Sequence, residues 1–234
     1  MDQPALAGYR LVRYHRRGYV GSSRTAGPVT IGDQATDLGG LLGYLGVRRA
    51  HIAGHSYGGL IAIQLALNRP DLVASLVLME PALRVRSAGP ASQDLSRRMA
   101  LGFQRYRESD RAGAVDGFLT AVFAPGYRQL LDRVIPGGWE QAMRDADMFF
   151  GIEVPELQRW QFGSAEAGRI TAPALSLVGG ESDPAFFEIE ELLRGLLPQL
   201  ETARVPGVNH LLCLKQPQPV AETLARFFAK HPLT

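Results

Sequence analysis

The chain has 234 residues, enough for one sizeable core with room for an inserted subdomain. Hydrophobic residues make up 46% and charged residues 21%, an ordinary composition for a globular protein. With 25 basic against 23 acidic residues the net charge is only +2, too even for a nucleic-acid or anionic membrane-surface partner.

Cysteine count and segment lengths narrow the class further. The single cysteine, Cys213, excludes an internal disulfide and a cysteine-based zinc site. No run approaches the roughly 18 apolar residues of a membrane helix. "MDQPALAGYR" lacks the basic start and apolar stretch of a secretion signal, so the expected location is cytoplasmic.

From residue 9 short β-rich runs alternate with longer helical ones. "YRLVRYH" (9–15) reads as a strand and is followed by the turn-rich "RRGYVGSSRTAGP". "IGDQATDLGGLLGYLG" (31–46) reads as a helix, with Ala35, Leu38, Leu42 and Leu45 at helical spacing. Next come "RRAHIAG" as a strand, "GGLIAIQLALN" as a helix and "LVASLVLME" as a strand. Between 84 and 170 the rhythm stops: "ASQDLSRRMALGFQRYRES", "DRAGAVDGFLTAVF", "YRQLLDRVI" and "GWEQAMRDADMFF" are all helical in pattern. Ser109 or Asp110 can cap the second of these helices. The alternation resumes with "APALSLVGG" (172–180) as a strand, "AFFEIEELLRGLL" as a helix and "ETARVPG" as a short strand, and "QPVAETLARFFAK" closes it as a helix. The expected class is α/β: a mostly parallel sheet covered by helices on both faces. The core spans 1–83 and 171–234, and an all-helical insertion spans 84–170.

The chemistry starts at "AHIAGHSYGGLIAIQLAL" (50–67), where Gly54-x-Ser56-x-Gly58 joins a strand to a helix. Such a sharp turn holds a serine in a strained conformation and lifts its hydroxyl above the strand ends. Neighbours without a Cβ let strand and helix pack closely. The next amide, that of Tyr57, opens the helix and can receive a developing oxyanion. A serine needs a base at neutral pH. Of the five histidines, His51 sits on the strand, His55 within the turn, His15 ahead of it and His231 in the tail. His210, in "VPGVNHLLCLKQP" between the last strand and the last helix, fits the chain order serine, acid, histidine. Asp183 in "LSLVGGESDPAF" is the preferred acid, although before Pro184 it also suits a helix cap. Glu80 in "LVLMEPAL" follows a strand directly and is the alternative acid. Cys213, inside an apolar "LLCL" run, reads as a packing residue, and "GHSYGG" lacks the spacing of a dinucleotide-binding loop.

Together these residues resemble the α/β-hydrolase superfamily, from about residue 9 to the C-terminus. The likeness rests on "RRGYVGSS", "VRRAHIAGHSYGGLIAIQLALNRPDLVASLVLMEPAL", "PALSLVGGESDP" and "VPGVNHLLCLKQPQPVAETLARFF", in the expected order. It implies Ser56 as nucleophile, His210 as general base, Asp183 as acid with Glu80 as the alternative, and no metal or organic cofactor. It also makes the 84–170 insertion a helical lid. Aromatic residues there (Phe103, Phe118, Phe123, Trp139, Phe149, Phe150 and Trp160) suit an apolar acyl group.

Two features depart from the family pattern. "HRRGYVGSS" carries His15 where the family commonly has Asp, and Val20 where it has a second Gly. The family also begins with three further strands and a His-Gly loop that donates the other oxyanion hydrogen bond. "DQPALAGYRLVRYH" resembles the first helix running into the fourth strand, so the resemblance implies an N-terminally incomplete core. An internal start within a longer protein, completion by another chain, or a degenerate relative each fit, and the complete triad favours the first. The expected function is a serine hydrolase acting on an ester or related carbonyl bond of a small, apolar substrate. A non-catalytic binding protein or inactive fragment of the same fold is the alternative.

Overall fold

Four of the segments read as strands pair into one sheet, and every pairing is parallel. The structure is a computed structural model in which residues 3–25, 27–83 and 89–233 are described. The strands are β1 (Ala50–His55), β2 (Val73–Met79), β3 (Ala174–Gly179) and β4 (Leu200–Val205), in the order β1-β2-β3-β4. Each crossover therefore moves one strand along the sheet, and all four C-terminal ends open on one rim. That is where parallel sheets of this kind place their ligands.

Period-two alternation explains the two faces. Leu76 and Leu78 of β2 pack with Val178 of β3 into one cluster. There they meet α1 (Ile31–Tyr44), α2 (Tyr57–Asn68) and α9 (Pro184–Leu196). Val77 and Met79 face the other way with Leu175, Leu177 and Val205, under the short α10 (Leu212–Lys215) and α11 (Pro217–Lys230). All seven residues of β2 are buried, as expected of a central strand covered on both sides.

The segment 9–15, read as a strand, corrects the sequence reading: it runs without helix or strand geometry and pairs with no strand. Leu11 and Val12 stay 39% and 41% exposed. β1 is consequently an edge strand, and a groove of 600 Å³ lies between it and this segment. Apolar alternation can suit a strand, but a strand exists only where a partner's N–H and C=O groups are within reach.

Between β2 and β3 the described residues are helical: α3 (Pro90–Arg107), α4 (Arg111–Phe123), α5 (Tyr127–Val134), α6 (Gly138–Ala146), a π-helical run (Asp147–Glu153), α7 (Val154–Arg159) and α8 (Ser164–Ala167). The expected boundary at residue 84 lies outside the described residues. Asp110, rather than Ser109, caps α4 by accepting from the Gly113 amide at 2.8 Å. These helices hold a small core of their own around Ala114, Val115, Ala146, Phe150 and Val154. No helix among the described residues is long and apolar enough to cross a membrane.

Candidate active site

Ser56 sits between β1 and α2 at φ 51°, ψ −120°, a conformation that costs an ordinary side chain energy. Its backbone is pinned from three sides: its amide donates to the Met79 carbonyl at 3.0 Å, and its carbonyl accepts from Gly59 at 2.9 Å and Ala82 at 3.1 Å. A Cβ on Gly54 would lie 2.2 Å from the Gly58 oxygen, and one on Gly59 would lie 2.7 Å from Pro81. Those two glycines permit the close approach, whereas Gly58, the last residue of the motif, has open space where a Cβ would go.

His210 follows β4 and is 2% exposed. Its Nδ1 lies 2.5 Å from Oε2 of Glu80, itself 1% exposed at the end of β2. The other carboxylate oxygen of Glu80 accepts from the Gly179 amide at 2.7 Å and from the Ser182 hydroxyl. Burial lifts the Glu80 carboxyl above the usual carboxylate range, while the Ser182 and Gly179 donors pull it back. Burial pushes the His210 imidazole well below the usual histidine range. A neutral imidazole whose Nδ1 is committed to a carboxylate keeps Nε2 as the nitrogen able to take a proton.

The preferred acid, Asp183, makes its contacts elsewhere. Its carboxylate pairs with Arg98 of α3 and accepts from the Ala185 amide at 3.0 Å, capping α9. It makes no hydrogen bond to His210 among the described residues. Pro184 fixes the first turn of α9 and leaves Asp183 as its N-cap, so one oxygen is spent on that helix and the other on Arg98. Glu80 comes directly off a buried strand at φ 45°, which turns its side chain beneath the rim instead.

Ser56 and His210 line one cavity of 460 Å³. Leu95, Phe103, Phe118, Phe149 and Phe186 form much of its wall, most of them from the helical insertion. Of the aromatic residues singled out earlier, Phe150 and Trp139 belong to the insertion's own core instead. Among the described residues the Ser56 hydroxyl makes no hydrogen bond to His210. Catalytic contacts are commonly long without substrate. The Tyr57 amide stands at the first turn of α2, where the helix supplies no internal partner.

Beneath Tyr57 lies a polar cluster that sequence reasoning did not find. Glu153, fully buried at the end of the π-helical run, pairs with Arg16, accepts from the Tyr19 hydroxyl at 2.5 Å and accepts from Gln34 at 3.0 Å. The Arg16 guanidinium lies 4.8 Å from the centre of the Tyr57 ring. This ties the insertion to α1 and to the residue after Ser56. π-helical runs recur at such functional junctions, but residue spacing gives no warning of them.

The remaining histidines do other work. His51 is hydrogen-bonded through Nδ1 to the Ser75 hydroxyl at 2.7 Å and stacks on Phe228, and His231 pairs with Glu201. Cys213, read as a packing residue, is exposed. His55, Glu80 and His210 bring ligand-capable atoms within 4.8 Å of one another, a spacing that suits a metal, although Glu80 and His210 already hold each other.

Known proteins share the family and the fold. The profile of the Alpha/beta hydrolase family matches residues 2–223. RutD of Stutzerimonas stutzeri, a protein named for carbamate hydrolysis, is 42% identical over an alignment covering 97% of this chain and 85% of that protein. The match to RutD of Azorhizobium caulinodans is local: 38% identity, covering 31% of this chain and 28% of that protein's length. Among solved structures, a hydrolase from Pseudomonas aeruginosa superposes with a TM-score of 0.69 at 28% identity, over 96% of this chain and 82% of the other. A thermophilic esterase from Thermogutta terrifontis shares the fold with a TM-score of 0.74 at 22% identity, over 93% and 79% of the two chains.

Proposed function

The chain belongs to the alpha/beta hydrolase family, and we propose that within it the protein is a serine hydrolase cleaving an ester or related carbonyl bond of a small, largely apolar substrate. Ser56 is the nucleophile, His210 the general base, Glu80 the acid and the Tyr57 amide an oxyanion donor. The reading is carried by one observation: Glu80 holds Nδ1 of His210 at the floor of a cavity that Ser56 also enters. Support for the substrate class comes from the aromatic wall and from the relative named for carbamate hydrolysis, whose bond undergoes the same acyl transfer.

The steps follow from these assignments. As Nε2 of His210 takes the Ser56 proton, the serine oxygen bonds to the carbonyl carbon and the π pair moves to the carbonyl oxygen, which faces the Tyr57 amide. Collapse of this intermediate expels the alcohol or amine leaving group, which takes the proton from Nε2, and an acyl-Ser56 remains. Water then repeats the sequence and releases the acid. Glu80 fixes the ring's tautomer and offsets the charge that His210 gains at each step.

A fluorophosphonate probe followed by intact-mass analysis tests the reading. One adduct per chain, absent from Ser56→Ala, together with Ser56-dependent turnover of short nitrophenyl esters or carbamates, is the expected result. An adduct that persists in Ser56→Ala, or a wild-type chain that neither labels nor turns over, refutes it.

A further inference from the structure

The turn that presents Ser56 carries a second histidine with no part in these steps. His55 ends β1, and its ring centre lies 4.4 Å from that of His210, tilted by 39°. Phe186 of α9 stacks on His210 at 4.5 Å and 11°. Phe123 adds a third ring at 5.7 Å and 30°, so the general base is held by three rings as well as by Glu80. Nε2 of His55 is buried and without a hydrogen-bond partner among the described residues.

An unsatisfied buried nitrogen is a cost that an apolar ring of similar shape does not carry. For packing alone, phenylalanine would serve as well. What the imidazole adds is a dipole with a free lone pair beside the group that becomes positive during the reaction. Burial, then the neighbouring His210, pushes the His55 pKa down to about 3, so near neutral pH the ring stays uncharged and does not repel an imidazolium. Glu80 is the other titratable group facing both rings, and the charge of Arg204 on β4 also acts on Glu80.

We propose that His55 is a positioning residue for His210: its neutral imidazole holds the general base in place and supports the charge the base acquires. The inference rests on the serine-hydrolase reading for its kinetic consequence and on geometry alone for its effect on the His210 ring.

Two variants test it. His55→Phe keeps a ring and removes both nitrogens, and His55→Gln restores a polar donor and acceptor. His55→Phe is expected to melt at or above the wild-type temperature while kcat falls about tenfold, the change that accompanies one pKa unit in the base. KM stays unchanged, and the acidic limb of kcat/KM moves to lower pH because the imidazolium has lost support. His55→Gln recovers part of kcat. Wild-type kcat in His55→Phe, or a loss of kcat that tracks a lowered melting temperature with the acidic limb in place, overturns the proposal. Ser56→Ala run alongside separates the two readings: without Ser56-dependent turnover in the wild type, the hydrolase reading fails. NMR titration of the His210 ring then decides this inference by itself. A lower His210 pKa in His55→Phe supports it, and an unchanged one overturns it.

Discussion

Two neighbouring strand ends each offer a carboxylate to the same rim, and only one reaches His210. Glu80 leaves β2 without an intervening residue, at positive φ, into a space closed on both faces of the sheet. Its acceptors there meet an amide, a hydroxyl and an imidazole. Asp183 lies four residues beyond the end of β3, where the chain has left the sheet and is starting a helix. Its acceptors meet the helix amide and Arg98, and its side chain keeps 16% of its exposure. A carboxylate's role is set by which donors its strand end encloses, and not by its place in the order serine, acid, histidine.

The buried end should govern behaviour in acid, and this is the largest stability effect the comparison implies. His55 and His210 are kept neutral by burial, with folded pKa values below the ordinary 6.5. Below about pH 6.5 the unfolded chain binds protons that the native chain refuses. Stability then falls by up to about 1.4 kcal/mol per pH unit for each ring. Glu80, whose folded pKa is raised, opposes this only between its native value and the ordinary 4.5, where the native state holds more of its proton. Urea midpoints are expected to fall steadily from pH 7 to 5 in the wild type and less steeply in His55→Phe. Flat midpoints would place these rings in contact with water.

The exposed end should matter for the helix instead. Asp183→Ala removes the α9 cap and is expected to cost about 1 kcal/mol in urea unfolding, with little added by the part-exposed Arg98 pair. A loss of several kcal/mol would mean that Asp183 shares the buried network after all. Smaller still is the effect at Val20, whose β-branched side chain stands at φ 52°. Val20→Gly should stabilise by about 0.5 kcal/mol, the relief of a left-handed backbone less the entropy glycine brings.

Much of this architecture is legible in the sequence because its signals are local. The alternation of "LVASLVLM" with longer helical runs encodes the parallel layers, and the two glycines flanking the turn at Gly54 and Gly59 encode the elbow. The choice of acid is not local. The Asp183-Pro184 pair carries a capping signal that competes with its catalytic reading, whereas Glu80 shows only a charge placed directly on an apolar strand. Such a charge has to find buried partners, and that was the available clue. Segment 9–15 alternates like a strand, yet pairing depends on a neighbour that its own residues cannot specify. The Glu153 cluster joins positions 16, 19, 34 and 153, a contact that no spacing rule reaches.

The most direct test compares the two strand ends in one assay. Rates of ester turnover by Glu80→Gln and Asp183→Asn, measured beside the wild type at pH 7.5 (roughly one unit above an ordinary imidazole pKa), isolate the acid that orients His210. Glu80→Gln is expected to lose about 10⁴-fold in kcat, as when a triad carboxylate becomes an amide, while Asp183→Asn stays within about tenfold of the wild type. The reverse ranking, or equal losses, would contradict the assignment of Glu80.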